Sequence, residues 1–244
     1  MNFAKKRILK DISILQNANL NDSGIFFHVN ETNLFEIYFL FLPRNNTPYE
    51  YGAYLFKLNA DSSSYPFSPP KATFCSLGHQ RIHPNFYSCG KVCLSILNTW
   101  SGPRWSPSQS LLSIALVIQS VFDECPLKHE PGFENDSHEQ MNYNKFIQFE
   151  NLLNVSRLLD LYESSITHIT PFFSEFECFK EIIYSYYKTH FENIKIKINS
   201  LSLSTPSSTL FISVYQINIH LDFKLLSRKF RKHFKDYKLS LIDT

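Results

Sequence analysis

Hydrophobic positions along the chain change period several times, and each change marks a new element. From residue 4 to about 17, Ile8, Ile12 and Leu15 recur at i, i+4 and i+7 among lysines and polar residues, which predicts a short amphipathic helix. The runs "GIFFHVN", "NLFEIYFLFLP" and "GAYLFKLNA" are apolar or alternating, and the segments "NET" and "PRNNTPYEYG" between them are rich in Asn, Pro and Gly. They predict three antiparallel strands in a meander. "KATFC" adds a fourth short strand after "YPFSPP", whose prolines impose an extended path. Residues 108 to 123, opened by Ser108 after Pro107, are apolar at most positions from Leu111 to Phe122 and predict a central helix buried on most sides.

Past residue 140 the pattern changes character. Segments 143 to 162 and 172 to 192 carry helical apolar sets, including Phe149, Leu152 and Leu153 in the first and Phe176, Phe179, Ile183 and Tyr187 in the second. "NSLSLSTPSST" reads as a polar, Ser-rich break. Tyr215, Ile217, Ile219, Leu221 and Phe223 then alternate with polar residues, as in a strand, and "LLSRKFRKHFKDYK" is a basic amphipathic helix with Leu226, Phe230 and Phe234 at fourfold spacing. The fold class is α+β: N-terminal helix, four-stranded antiparallel meander, central helix, and a mainly helical C-terminal extension. The expected division is 1–140 and 141–244.

Charge removes some functions. With 24 basic and 22 acidic residues there is no global field that would recruit nucleic acid or an acidic membrane, so partners must be recognised locally. The basic C-terminal helix is expected to be a packing helix with a solvated basic face rather than a membrane or nucleic-acid contact. The N-terminal stretch "MNFAKKRILKDISILQ" lacks an apolar region of signal-peptide type, and the run "LLSIALVIQSVF" is too short to span a bilayer, so a cytoplasmic or nuclear location is expected.

Five cysteines (75, 89, 93, 125 and 178) form an odd set unsuited to a disulfide framework in a reducing compartment. Zinc is also poorly supported: Cys89 and Cys93 have no second pair at ligand spacing, and His79 and His83 lie across proline-containing loop sequence. The expectation is therefore no metal and no cofactor.

The segment "RIHPNFYSCGKVCLSILNTWSGPRWSP" concentrates the chemistry. "YPFSPPK", "HPN", a cysteine eight residues after that Asn inside "GKVCLSIL", then "WSP" and a buried helix resemble the catalytic core of a ubiquitin-conjugating enzyme over roughly residues 4 to 135. "TWSGPRWSP", "IQSVF", "EPGFE" and "NYNKFIQFE" are similar to the Z-type branch, whose triplet usually begins with Asn where this chain has His83.

The resemblance implies a transferase that receives ubiquitin or a ubiquitin-like modifier as a thioester on Cys93, after an ATP-dependent activating step carried out by a partner. Such a carrier needs an accessible thiol without a tightly bonded hydrolytic base. Cys89 is an ordinary loop residue in this reading. Asn85 would donate to the oxyanion formed during lysine attack, organise its loop, or do both. His83 would bond to backbone in the turn that Pro84 stiffens. In the loop after the central helix, "DECPLKHEPGFE" places either His129 or Glu130 where the family often has an acid, and a carboxylate favours Glu130 for holding the incoming ammonium.

The resemblance further implies that Lys5, Lys6 and Arg7 face the activating enzyme, and the likeness to the Z-type branch implies the alternative one that serves it. Phe67 and Pro107 would dock a RING-type or other ligase. No nucleic acid or membrane partner is implied. A noncatalytic binding module of the same fold is the alternative class, although such a module has no physical need for both Asn85 and Cys93.

Overall fold

In the computed structural model, residues 3–75, 77–78, 80–163 and 176–240 are described, with side chains up to 233 in the last segment. The chain forms two compact units, Met1–Asn135 and Asp136–Thr244.

The first unit opens with α1 (Phe3–Asn17), which buries Ala4, Ile8, Ile12 and Leu15 along one face, as the spacing predicts, and adds the carboxylate of Asp11. Four strands follow: β1 (Ile25–Val29), β2 (Glu36–Phe41), β3 (Tyr54–Asn59) and β4 (Lys71–Cys75). They pair as an antiparallel meander in the order β1-β2-β3-β4. The register sets Phe39 opposite Phe56 and Phe56 opposite Phe74, so aromatic residues form a row across three strands. That row continues beyond the sheet, with the Phe56 ring 4.9 Å from Phe86, Phe86 5.3 Å from Phe122, and Phe86 4.6 Å from His83. Edge-on and tilted rings thereby anchor the His83–Phe86 turn to the core.

The central helix α2 (Leu111–Ser120) is shorter than the apolar run suggests. Ser110, not Ser108, caps it, accepting from the Ser113 amide in a reciprocal capping box. Leu111, Ile114, Ala115 and Ile118 are buried, and Leu116, 49% exposed, is the one apolar position of this helix that is exposed.

The second unit contains α3 (Ser137–Glu163), α4 (Lys180–Ser204), the hairpin β5 (Ser208–Ile212) and β6 (Ile217–Leu221), and α5 (Phe223–Ser240). Residues 172–175 of the second predicted helix lie outside the described residues, as does the Phe234 side chain. The Ser-rich stretch proves helical through Ser204, where Ser202 and Ser204 hydroxyls donate back to the Asn199 and Ser200 carbonyls at 2.7 and 2.9 Å. The predicted strand is confined to Ile217–Leu221, with Tyr215 in the preceding turn. Phe223, Leu226 and Phe230 of α5 are buried, and their rings meet Phe149 of α3 at 5.2 Å and Phe191 of α4 at 4.9 Å. Its Lys224, Arg228, Lys229, Arg231 and Lys232 side chains face outward. None of the described helices is long and apolar enough to cross a membrane.

Candidate active site

The site lies where the His83–Phe86 turn meets the segment from Gly90 to Leu97. Gly90 adopts φ +89°, and a Cβ there would come within 3.1 Å of both the Phe74 carbonyl oxygen and the Thr73 side chain. Glycine therefore lets the segment close onto β4, where Thr73 bridges Lys91 and the Phe74 amide donates to the Gly90 carbonyl at 2.9 Å.

Asn85 and Cys93 hold each other by backbone and side chain. The Cys93 amide donates to the Asn85 carbonyl at 2.9 Å, and Asn85 Nδ2 donates to the Cys93 carbonyl at 2.7 Å. Thr99, in the long loop after the cysteine, accepts from the Leu94 amide at 3.0 Å and sets its hydroxyl 2.9 Å from the Val92 carbonyl. Farther along that loop, the Trp105 amide donates to Asn98 Oδ1 at 3.0 Å.

These bonds draw Cys93 inward until it is only 1% exposed, unlike the accessible thiol expected of a carrier. Cys89 is exposed, and all five cysteines are free thiols. Asn85 Oδ1 is buried without a hydrogen-bond partner among the described residues.

His83 is fully buried. Its Nδ1 accepts the Asn85 amide at 3.0 Å, which leaves Nε2–H to donate to the Val121 carbonyl at 2.9 Å. Burial, and then the charge of His129, push its pKa down to about 3, so it is neutral at physiological pH. Pro84 is buried in the same turn.

The two candidates in the loop after α2 have separate partners. Glu130 pairs with Arg81 at 3.5 Å, while Arg81 also donates to the Pro84 carbonyl and lies 3.8 Å from the Tyr87 ring centroid. His129 Nε2 meets Asp123 Oδ2 at 2.8 Å, and its ring lies 5.5 Å from that of His83. Burial raises the Asp123 pKa, but the His129 bond and the Cys125 amide outweigh it and bring the group below the usual carboxylate range. Sequence reasoning missed Asp123 and Arg81. The only signal for Arg81 was its place as the one strong cation beside "HPN", and nothing local marked Asp123.

Lys5 and Lys6 are exposed on α1, but Arg7 is half-buried. Its Nε bonds both carboxylate oxygens of buried Asp11 at 3.1 Å, and its terminal nitrogens donate to the Pro107 and Gln109 carbonyls. Tyr65 donates to the same carboxylate. Phe67 is 70% exposed and stacks on Phe3 at 5.7 Å, and Pro107 is exposed. The Trp105 indole donates to the Pro66 carbonyl at 2.7 Å and holds the Phe67 and Pro107 loops together. His79, considered above for zinc, lies outside the described residues.

A thiol eight residues after a turn-bound asparagine, behind a four-stranded meander and ahead of a capped central helix, is the arrangement that the sequence resemblance implies. The ubiquitin-conjugating enzyme family profile matches residues 7–154, and the chain belongs to that family. Among curated proteins it is similar to the ubiquitin-conjugating enzyme E2 Z of Danio rerio and of Xenopus tropicalis, each 42% identical over 133 residues. The E2 Z of Homo sapiens is 41% identical over 133 residues. Each alignment covers 53% of this chain and respectively 40%, 42% and 37% of the relative, so the chain spans about two-fifths of those proteins' length. These similarities place the chain with the Z-type branch of the family.

Proposed function

We propose that the chain accepts ubiquitin or a ubiquitin-like modifier on Cys93 and passes it to a lysine or to a ligase cysteine, acting in the cytoplasm or nucleus. The Asn85–Cys93 pairing carries this reading, because it aims a neutral amide at the residue that would bear the acyl group. In loading, the Cys93 thiolate attacks the carbonyl carbon of the activating enzyme's thioester, and the activating enzyme's thiolate leaves. In discharge, a neutral amine attacks the Cys93 thioester, negative charge passes through the carbonyl oxygen, the C–S bond breaks and the amine proton is lost.

A free lysine has a pKa of about 10.4, so the amine must be oriented and relieved of its proton. The unpartnered Asn85 Oδ1 is an acceptor suited to an amine N–H, and the second Nδ2 hydrogen to the developing oxyanion. Loading also requires the Cys93 surroundings to open. Exposed Lys5 and Lys6 suit the activating enzyme, and exposed Phe67 and Pro107 suit a RING-type ligase.

The burial of Cys93 favours one alternative, a noncatalytic binding module of the same fold. Incubation with activating enzyme, ATP and modifier separates the two: a carrier forms a thiol-sensitive adduct at Cys93 and a binding module forms none.

A further inference from the structure

The helix α5 lies outside residues 7–154, which match the family profile, and its two faces differ in kind. Phe223, Leu226, Ser227, Phe230 and His233 are buried, and the stretch from residue 223 to 233 contains no acid. Lys224, Arg228, Lys229, Arg231 and Lys232 are all exposed. At about 100° per residue, Arg231, Lys224, Arg228 and Lys232 fall within an arc of about 100° opposite the buried set, and Lys224, Arg228 and Lys232 step along the axis by about 6 Å. Other cations of this unit have acids beside them: Lys180 pairs with Glu177 at 3.2 Å, Lys195 with Glu192 at 3.1 Å and Arg157 with Glu150 at 3.6 Å. Among the described residues, none of the five cations on α5 has a carboxylate within ion-pair distance. Asp222, the acid nearest in sequence, is turned to the helix start, where its Oδ1 accepts from the Leu225 amide at 2.8 Å. The outer face of α5 is thus an uncompensated cationic stripe.

We propose that this stripe docks an extended, acidic segment of a partner polypeptide, with Asp or Glu at alternate positions. Side chains two residues apart on an extended chain share one face and repeat at about 6.6 Å, close to the step of the cations along α5. Successive carboxylates therefore meet Lys224, Arg228 and Lys232 in turn, and the guanidinium groups of Arg228 and Arg231 can each hold a carboxylate through two N–H groups. Leu225, 47% exposed at the edge of the stripe, offers an apolar contact to a side chain of such a segment. Other anionic partners fit less well. A bilayer takes up apolar groups, and those of α5 are packed against Phe149 and Phe191, which leaves Leu225 alone to enter it. A nucleic acid would find charge, but the stripe has no aromatic ring on which a base could stack.

The test is fluorescence anisotropy of labelled peptides on the full chain. Four peptides of one length are compared: Glu at alternate positions, Gln in place of each Glu, Lys in place of each Glu, and the same Glu residues grouped at one end. The alternating Glu peptide should bind, the grouped one should bind more weakly, and the Gln and Lys peptides should not bind. Arg228→Gln should weaken binding of the alternating peptide about threefold, the size of one exposed pair. Lys224→Glu combined with Arg228→Glu and Lys232→Glu should abolish binding of the Glu peptide and create binding of the Lys peptide, with circular dichroism confirming that the variant keeps its helices. Equal binding of the Glu and Gln peptides, equal binding of the grouped and alternating ones, or Glu-peptide binding unmoved by the triple reversal overturns the inference. An oligonucleotide, single- or double-stranded, and phosphatidylcholine vesicles containing phosphatidylserine are measured alongside. Tighter binding of either than of the Glu peptide, lost in the same variant, assigns the stripe to a nucleic acid or a lipid surface and overturns the polypeptide reading.

Discussion

Asn85 and Cys93 are joined by two hydrogen bonds, Cys93 N–H to the Asn85 carbonyl at 2.9 Å and Asn85 Nδ2 to the Cys93 carbonyl at 2.7 Å, and together they bury the thiol-bearing residue. The side-chain bond is the one that mutation can remove. Asn85→Ala should lower stability by about 1 kcal/mol, the usual worth of one such bond, which thermal unfolding reads. It should still accept the modifier yet discharge to free lysine about 100-fold more slowly, as on loss of an oxyanion donor. A loss of loading equal to the loss of discharge would make Asn85 solely an organiser of the loop.

His83 provides a pH dependence with a defined sign. Its native pKa of about 3 lies below the ordinary 6.5, so between those values the unfolded chain binds a proton that the folded chain does not. The stability it contributes is complete above pH 6.5 and is lost as pH falls toward 3, with a slope of about 1.4 kcal/mol per pH unit. Denaturant unfolding at several pH values should show that His83→Asn has a shallower slope in this window than the parent, after an initial loss of stability from the altered bonds to Val121 and Asn85.

Under the proposed transfer reaction, Asp123 and Glu130 are two carboxylates of the loop after α2 to be compared for holding the incoming ammonium. Glu130 is committed to Arg81, whereas Asp123 is more exposed, lies below the usual carboxylate range and carries His129. Asp123→Asn is expected to slow discharge to free lysine about tenfold, equivalent to roughly 1.4 kcal/mol of barrier. Glu130→Gln is expected to change it less than Asp123→Asn does. Loading rates measured beside discharge show whether either effect is confined to the lysine step.

Arg7 joins α1 to the loop that carries Pro107. Arg7→Ala should cost about 3 kcal/mol, because it strips the guanidinium from a fully buried carboxylate at Asp11 and leaves that group with Tyr65. Thermal unfolding should register a drop of several degrees, and a companion Asp11→Asn substitution should recover part of it by removing the buried charge.

The strands were legible because two signals agreed, apolar alternation inside them and Asn, Pro and Gly between them. The motif spacing likewise made Cys93 and Asn85 candidates. What stayed illegible depends on contacts distant in sequence. Arg7 looks like one more cation on a basic helix face until Pro107, Gln109 and Asp11 converge on it, and the burial of Cys93 comes from Asn85 and Thr99 bonding to the backbone around it. The Ser-rich segment misled for a local reason: serine weakens a helix on average, but Ser202 and Ser204 bond back to the preceding turn and α4 continues.

Selectivity among activating enzymes tests the branch. If the long loop after Cys93 and the second unit select the activating enzyme, initial charging should be faster with the alternative ubiquitin-activating enzyme than with the principal one. Lys5→Glu with Lys6→Glu should slow charging by either enzyme. Faster charging by the principal enzyme would refute this selectivity without touching the transfer chemistry.

The most direct measurement is the adduct itself. Purified chain incubated with activating enzyme, ATP and ubiquitin, then resolved with and without reducing agent, should form a thiol-sensitive conjugate that Cys89→Ala retains and Cys93→Ala abolishes. Cys93→Ser should give a thiol-resistant ester in its place. A conjugate that persists in Cys93→Ala would contradict the account.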